Sequence, residues 1–298
     1  MQYRTLGTTG ISVSLLGYGA WALGKQGWPG VDKREAIATL EAAIKHGINL
    51  FDTAPIYGFG RSEHLLGEVL RGHRSKVVLA TKCGLRWDKR GKVTHDLSRE
   101  AILRDIEASL SRLSTEYIDL YQTHWPDPAT PFDETLETLC DLVAQGVVKH
   151  IGLCNATVPL IEQALQQIRI ASVQNQYNLL QRDAEQEVLP FCREKNIGFL
   201  CYSPLAQGLL AGTVPEKFVP GRHDIRRLNP LWCDPQTLCN AIAYVRRLSH
   251  PPAAAALRFL AAQEGVSSIL VSMTRRKHLE ENLQYLEQSD RADYPVTF

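Results

Sequence analysis

INLFDT (48–53) is an apolar run that ends on a carboxylate, Asp52, and Tyr57 follows in APIYGFG (54–60). Two later runs have the same build: KVVLATK (76–82) ends on Lys82 and YIDLYQTH (117–124) on His124. Short apolar runs of this kind read as strands buried on both faces of a parallel sheet. In a (β/α)8 barrel the chemistry sits at the C-terminal ends of the strands. That fold would bring Asp52, Tyr57, Lys82 and His124 to one rim.

The remaining chain supplies the other strands. SLLGYG (14–19), HIGLCN (150–155), SVQNQ (172–176), IGFLCYS (197–203) and SSILVS (267–272) complete a set of eight with the three runs above. Segments of helical period lie between them. Asp32 and Glu35 form a capping-box pattern before Ile37, Leu40 and Ile44. Further stripes are Ile102, Ile106, Leu110 and Leu113; Leu136, Leu139, Leu142 and Val143; and Ile161, Ala164, Leu165 and Ile168. Tandem βα units predict a parallel sheet, and eight of them close into a TIM barrel. A doubly wound open sheet would need a Gly-rich phosphate loop after its first strand. LLGYGAW (15–21) lacks GxGxxG, which counts against it.

Before the first strand, QYRTLGTTGISVS (2–14) reads as a β-hairpin around Gly-Thr-Thr-Gly, a candidate plug for the barrel floor. After the seventh strand a long polar segment runs from Pro204 to about Pro235, and loops of that length are commonly functional. Two helical segments, 236–249 and 252–264, follow it. No linker or composition shift divides the chain, so residues 1–298 are expected to form one domain.

The totals fit a barrel, for which roughly 250 residues is typical. The chain has 298 residues and is 44% hydrophobic, with 33 Lys plus Arg against 32 Asp plus Glu, a net charge of +1. That balance argues against an electrostatic nucleic-acid or membrane binder. No signal-peptide core or membrane-length apolar run is present. The seven cysteines are odd in number and lack CxxC or zinc spacing, which fits reduced thiols, a cytoplasmic location and no bound metal.

A phenol is a poor acid at neutral pH, with a pKa of about 10. A nearby ammonium favours its phenolate. Lys82 could play that part for Tyr57, with Asp52 as counter-charge and His124 donating a hydrogen bond to a substrate oxygen. Such a set protonates an oxygen as it becomes an alkoxide. It contains no nucleophile and no metal, so the hydride would come from a bound nicotinamide.

GINLFDTAPIYGFGRSEHLLGEVL (47–70), VVLATK, YIDLYQTHWPDP and IGLCNAT together resemble the aldo-keto reductase superfamily. The resemblance is nearest to the bacterial soluble branch related to potassium-channel β subunits, and runs from the N-terminal hairpin to LEENL (279–283). It implies that Tyr57 is the general acid in reduction and the base in oxidation. Lys82 lowers its pKa, Asp52 pairs with Lys82, and His124 orients the carbonyl. It implies NADPH or NADP+ as cofactor, with NADH as the alternative. Asn155 and Gln174 would hold the carboxamide, with Cys154 beside them, and Tyr202 would stack on the nicotinamide ring. Gly19, Ala20 and Trp21 form the first cofactor-touching loop. Ser203, Leu205, Gln207 and Gly208 begin the long loop, which covers the pyrophosphate in the family. Ser272, Thr274, Arg275, His278, Glu281 and Asn282 would meet the far end of the cofactor.

Three departures from the family pattern stand out. Cys154 replaces a common Ser, Val271-Ser272-Met273 replaces a Gly-containing turn, and His278 replaces Gln or Arg. Arg275, Arg276 and Lys277 still put positive charge at the start of the last helix, where a phosphate suits the dipole. Read singly, that run is also an ordinary solvated helix start. Trp21, Trp87 and Trp125 follow strands one, three and four. They either wall a substrate pocket with Tyr57 and His124 or are ordinary rim packing. Gly58-Phe59-Gly60 reads as a turn, not a phosphate loop, and Asn155-Ala156-Thr157 as an unused sequon.

The expected function is NADPH-dependent reduction of an aldehyde or ketone, a small-molecule carbonyl substrate. A sugar or polyol dehydrogenase running in reverse, and a cofactor-sensing subunit without turnover, are the alternatives. The lack of a long N-terminal extension disfavours the last. The short tail DYPVTF (293–298) predicts an open, tolerant pocket. Oligomeric state has no signature.

Overall fold

Eight parallel strands close into a barrel: β1 (Leu16–Gly19), β2 (Leu50–Asp52), β3 (Val78–Cys83), β4 (Ile118–Thr123), β5 (Val148–Cys154), β6 (Ile170–Gln176), β7 (Gly198–Tyr202) and β8 (Val266–Val271). Each strand pairs with its neighbours in sequence, and β8 pairs with β1. The structure, a computed structural model, describes residues 1–287 apart from 26, 29, 216, 217, 223, 249 and 250. The expected tail, 293–298, therefore lies outside the described residues. The helices are α1 (Lys33–Lys45), α2 (Arg61–Leu70), α3 (Arg99–Leu113), α4 (Phe132–Ala144), α5 (Val158–Leu165), α6 (Val188–Glu194), α7 (Pro230–Cys233), α8 (Pro235–Arg246), α9 (Pro252–Ala261) and α10 (Arg276–Glu287). This is the (β/α)8 architecture, with its α/β order intact.

The two-residue period of a strand explains how one barrel has an apolar floor and a polar mouth. Leu50, Val78, Ala80, Leu120, Leu200 and Leu270 form an interior cluster with Leu6 and Val13 of the N-terminal hairpin. Two residues further along the same faces stand Asp52, Lys82, Gln122, Tyr202 and Ser272. The hairpin, Tyr3–Thr5 against Ser12–Ser14, closes the floor as expected. The opposite faces of the strands carry Phe51, Leu79, Tyr121, Leu153, Val173, Phe199 and Ile269, which pack with the helices into the larger core.

Local signals account for the helix ends. Asp32 accepts the Glu35 N–H at 2.8 Å, so the expected N-cap of α1 forms. Ser98 caps α3 through the Ala101 N–H. The helix expected over 252–264 stops at Ala261 and gives way to a turn in which Gly265 has φ +90°. The one expected over 236–249 runs from Pro235 to Arg246, capped by Asp234, and residue 249 is not described.

The long segment after β7 is more ordered than its composition predicts. It holds short 3-10 turns at Ala206–Ala211 and Ile225–Leu228 before α7, and Leu209 and Leu210 anchor it in the core. A second hairpin, Leu85–Trp87 against Val93–His95, rises from the rim after β3. Its signals were the alternation in VTH and the turn at Asp88-Lys89-Arg90-Gly91. There Asp88 accepts the Arg90 and Lys92 N–H groups at 2.8 and 2.9 Å.

Candidate active site

Lys82 is the centre of the rim. Its buried ammonium donates to Asp52 Oδ2 at 2.7 Å, Asp52 Oδ1 at 2.9 Å, the Thr53 carbonyl at 2.9 Å and, in a longer contact, Tyr57 Oη at 3.4 Å. The Tyr57 and His124 rings meet edge to face at 5.8 Å. His124 is fixed through its main chain: its N–H donates to the Cys83 carbonyl at 3.0 Å, and its own carbonyl accepts from Asn155 Nδ2 at 2.9 Å. The four residues that end or follow β2, β3 and β4 therefore share one site.

Tyr57 is held by backbone contact that its own segment does not announce. Gly58, Phe59 and Gly60 all have left-handed φ values, of 65°, 56° and 90°. A bulky residue such as Phe59 rarely accepts that conformation. Opposite them lies Gly24, where an added Cβ would fall 2.5 Å from both Tyr57 C and Gly58 N. The missing side chain at Gly24 lets the Trp21–Gly24 turn lie directly against the Tyr57 backbone.

The electrostatics qualify one expectation. Burial dominates the Tyr57 phenol and pushes it up to about 12, although Lys82 pulls it down. The hydroxyl therefore stays protonated at neutral pH, and Lys82 limits the cost of the phenolate without making it the resting form. Burial pulls Lys82 down most strongly as a single effect, yet Asp52, Tyr57 and Cys154 together hold the ammonium above its ordinary range. His124 is held well below the usual imidazole value by burial first, then by Lys82 and His95. It is neutral at physiological pH and retains one ring N–H for a hydrogen bond.

The aromatic residues divide. Trp21 lies 6.1 Å from the Tyr57 ring and 5.3 Å from Trp28. Trp87, on the rim hairpin, packs against Phe59 at 5.2 Å. Trp125 is 42% exposed and has no ring contact among the described residues. Phe59 and Trp28 were not picked out from the sequence as wall residues. The signal for Phe59 was a large residue between two glycines beside Tyr57.

Of the residues matched to cofactor contacts, several cluster around β5, β6 and β7. Gln174 donates to Asp52 Oδ1 at 2.8 Å. Asn155, at φ 54°, accepts from Tyr202 Oη at 2.7 Å. Cys154 ends β5 with a buried thiol that burial pushes up. Ala20 donates its N–H to the Asp52 carbonyl, and Ser272 donates to the Gly19 carbonyl at 2.7 Å. Ser203 and Gln207 have left-handed backbones, Leu205 accepts the Gly208 N–H, and a Cβ on Gly208 would meet nothing within 4 Å. Thr274 lies between β8 and α10; Arg275 and His278 are exposed at the start of α10.

Two observations bear on whether these groups suit a nicotinamide dinucleotide. Gln174 is 2% exposed and Asn282 is 4% exposed, and Gln174 is held through Nε2, which donates to Asp52 Oδ1 and Gln122 Oε1. With its Nε2 committed, Gln174 has Oε1 left to accept from a ligand's amide. Second, the run at α10 is unequally committed. Arg276 pairs with Glu280 at 2.9 Å and Lys277 with Glu281 at 3.7 Å, while Arg275 has no partner among the described residues. The donor set fits a neutral carboxamide at one end and a phosphate at the other.

The chain matches the profile of the aldo/keto reductase family over residues 15–294. It belongs to that family. An aldo-keto reductase of Bacillus subtilis (strain 168), YhdN, is 39% identical over 79% of this chain and 72% of its own. The NADH-specific methylglyoxal reductase of Escherichia coli (strain K12) is 36% identical over 96% of this chain and 94% of its own. Among solved structures, the holo form of aldo-keto reductase AKR11C1 from Bacillus halodurans superposes with a TM-score of 0.83, at 29% identity, over 98% of this chain and 93% of that one. The chain is an oxidoreductase of a family that uses nicotinamide cofactors. No helix among the described residues is long and apolar enough to cross a membrane.

A half-buried acid supports the rim hairpin from behind the barrel. Asp105 of α3 accepts the Gly84 N–H at 3.0 Å. Burial raises its carboxyl from 3.8 to about 6, outweighing that hydrogen bond and the pull of Arg86 and Arg112. A raised carboxyl means that the folded state binds the extra proton. The contribution of Asp105 to stability is therefore greatest below the unfolded value and declines as pH rises through the window from 3.8 to about 6. Asp105→Asn keeps an acceptor for Gly84 and removes the half-buried charge. It is expected to stabilise the protein at pH 8 by about 1–2 kcal/mol and to flatten that window. Thermal melts from pH 4 to 8 check this; a variant less stable than wild type at pH 8 would contradict it.

Proposed function

We propose that the protein reduces an aldehyde or ketone to an alcohol with NADPH, and that Tyr57 is the general acid. The observation that carries this reading is the single hydrogen-bonded unit of Asp52, Lys82 and Tyr57 beside a neutral His124. A bound nicotinamide supplies the hydride that no side chain here can give. Tyr57 Oη gives its proton to the carbonyl oxygen as that oxygen gains charge. Lys82 stabilises the phenolate left behind, Asp52 keeps Lys82 charged and aimed, and the His124 N–H donates to the same oxygen. In alcohol oxidation each group works in reverse, with Tyr57 as base. Trp21, 6.1 Å from the Tyr57 ring, and Trp87, packed on Phe59, would give a carbonyl substrate an apolar wall. Gln174 and Asn155 would hold the carboxamide, Tyr202 would meet the nicotinamide, and the Ser203–Gly208 turn would cover the pyrophosphate.

NADPH is preferred in this reading because Arg275, without an ion-pair partner among the described residues, stands beside the start of α10, where it would meet a 2′-phosphate. The E. coli relative, named as NADH-specific, marks the contrary outcome. Oxidation of each cofactor, followed at 340 nm with a panel of aldehydes, ketones and sugars, tests the proposal. We expect kcat/KM for NADPH to exceed that for NADH by about tenfold or more, the scale of one charge-assisted contact. A preference for NADH overturns the cofactor assignment, and no turnover on any carbonyl overturns the activity.

A further inference from the structure

We propose that Gln122 is a positioning residue for the reaction: it binds Asp52 and Gln174 into one hydrogen-bonded unit and so governs how much of Lys82 is left for Tyr57. The proposal rests on the reading of Tyr57 and Lys82 just given.

Gln122 lies on the interior face of β4, two residues before His124, and is fully buried. An ionised carboxylate only accepts, so both neighbouring amides must turn their NH2 groups toward Asp52. Asp52 Oδ1 thus receives Gln174 Nε2 at 2.8 Å, Lys82 Nζ at 2.9 Å and Gln122 Nε2 at 3.2 Å. Gln122 Oε1 in turn accepts from Gln174 Nε2 at 3.4 Å. Gln174 is thereby pinned between two partners through its Nε2.

Lys82 has three protons and four acceptor atoms around it, of which Tyr57 Oη is the most distant. Amide donors on Asp52 spread its negative charge and weaken its hold on the ammonium. Without Gln122, Asp52 draws Lys82 closer, Tyr57 loses part of its support and becomes a weaker acid, and Gln174 loses its brace.

Two variants separate this from a packing role. Gln122→Met keeps similar volume without the amide. Gln122→Glu donates to Asp52 only while its carboxyl is protonated, a form that the adjacent carboxylate favours to higher pH than usual. For Gln122→Met we expect kcat to fall on the order of tenfold, the scale of one hydrogen bond to a charged group. Its carbonyl KM should stay nearly constant, and the alkaline limb of its kcat profile should move upward. Cofactor Kd, read from tryptophan quenching, should weaken several-fold because Gln174 is no longer braced. Gln122→Glu should recover most of kcat at pH 6 and converge on Gln122→Met at pH 9. Should the Met variant fold poorly, the pH-dependent recovery of the Glu variant decides alone. Wild-type kcat and pH profile in both variants, or no recovery by Glu at low pH, overturns the proposal. Turnover surviving in Tyr57→Phe would instead overturn the reading beneath it.

Discussion

Tyr57→Phe is expected to lose about 10²–10⁴-fold in kcat, the range that a positioned general acid supplies. The substitution removes one oxygen and leaves the ring, its edge contact with His124 and its tilted contact with Trp21 in place. The wall of the pocket is therefore preserved. Burial already holds the Tyr57 hydroxyl in its protonated form, up to about 12, so the group removed is the proton itself and not a resting phenolate. Steady-state reduction followed at 340 nm gives the number. A loss confined to KM would mean that Tyr57 only binds.

Lys82→Met should be the most damaging substitution for stability. It strips from a buried carboxylate, 4% exposed, the only cation that pairs with it among the described residues. Breaking a buried pair by removing one partner costs about 3–5 kcal/mol, because the remaining charge is uncompensated. For a chain of this length that corresponds to a Tm fall on the order of 6–15 °C. Gln122 and Gln174 still donate to Asp52 and place the loss toward the lower end. The pair Lys82→Met with Asp52→Asn removes both charges and should recover much of the Tm while remaining inactive. Scanning calorimetry on the single and double variants checks this. Equal losses in the two would show that packing, not the stranded charge, is responsible.

Asp52, Lys82 and His124 are legible because they interrupt apolar strands, and a strand end in a barrel has one place to go. The hairpin at 2–14 was legible for a similar reason, as two short runs around Gly-Thr-Thr-Gly. Gly24 was not: its importance comes from a backbone approach to Tyr57 across the chain, and a glycine in a loop has no period. Gln122 was hidden in plain view within YIDLYQTH, where it reads as a polar interruption of a strand. Only barrel closure, which brings β2, β4 and β6 around one axis, sets it against Asp52 and Gln174. The level of the Tyr57 phenol was half legible. Lys82 as its neighbour followed from chain order, but the depth of burial that outweighs the ammonium depends on the closed rim.

The most direct measurement is single-turnover transfer of deuterium from C4-labelled cofactor to a carbonyl, in wild type and Tyr57→Phe, with cofactor Kd recorded on the same samples. The account predicts label on the carbinol carbon with wild type, almost none with Tyr57→Phe, and closely similar Kd values. Equal deuterium transfer by both proteins, or none by wild type with cofactor bound, would contradict it.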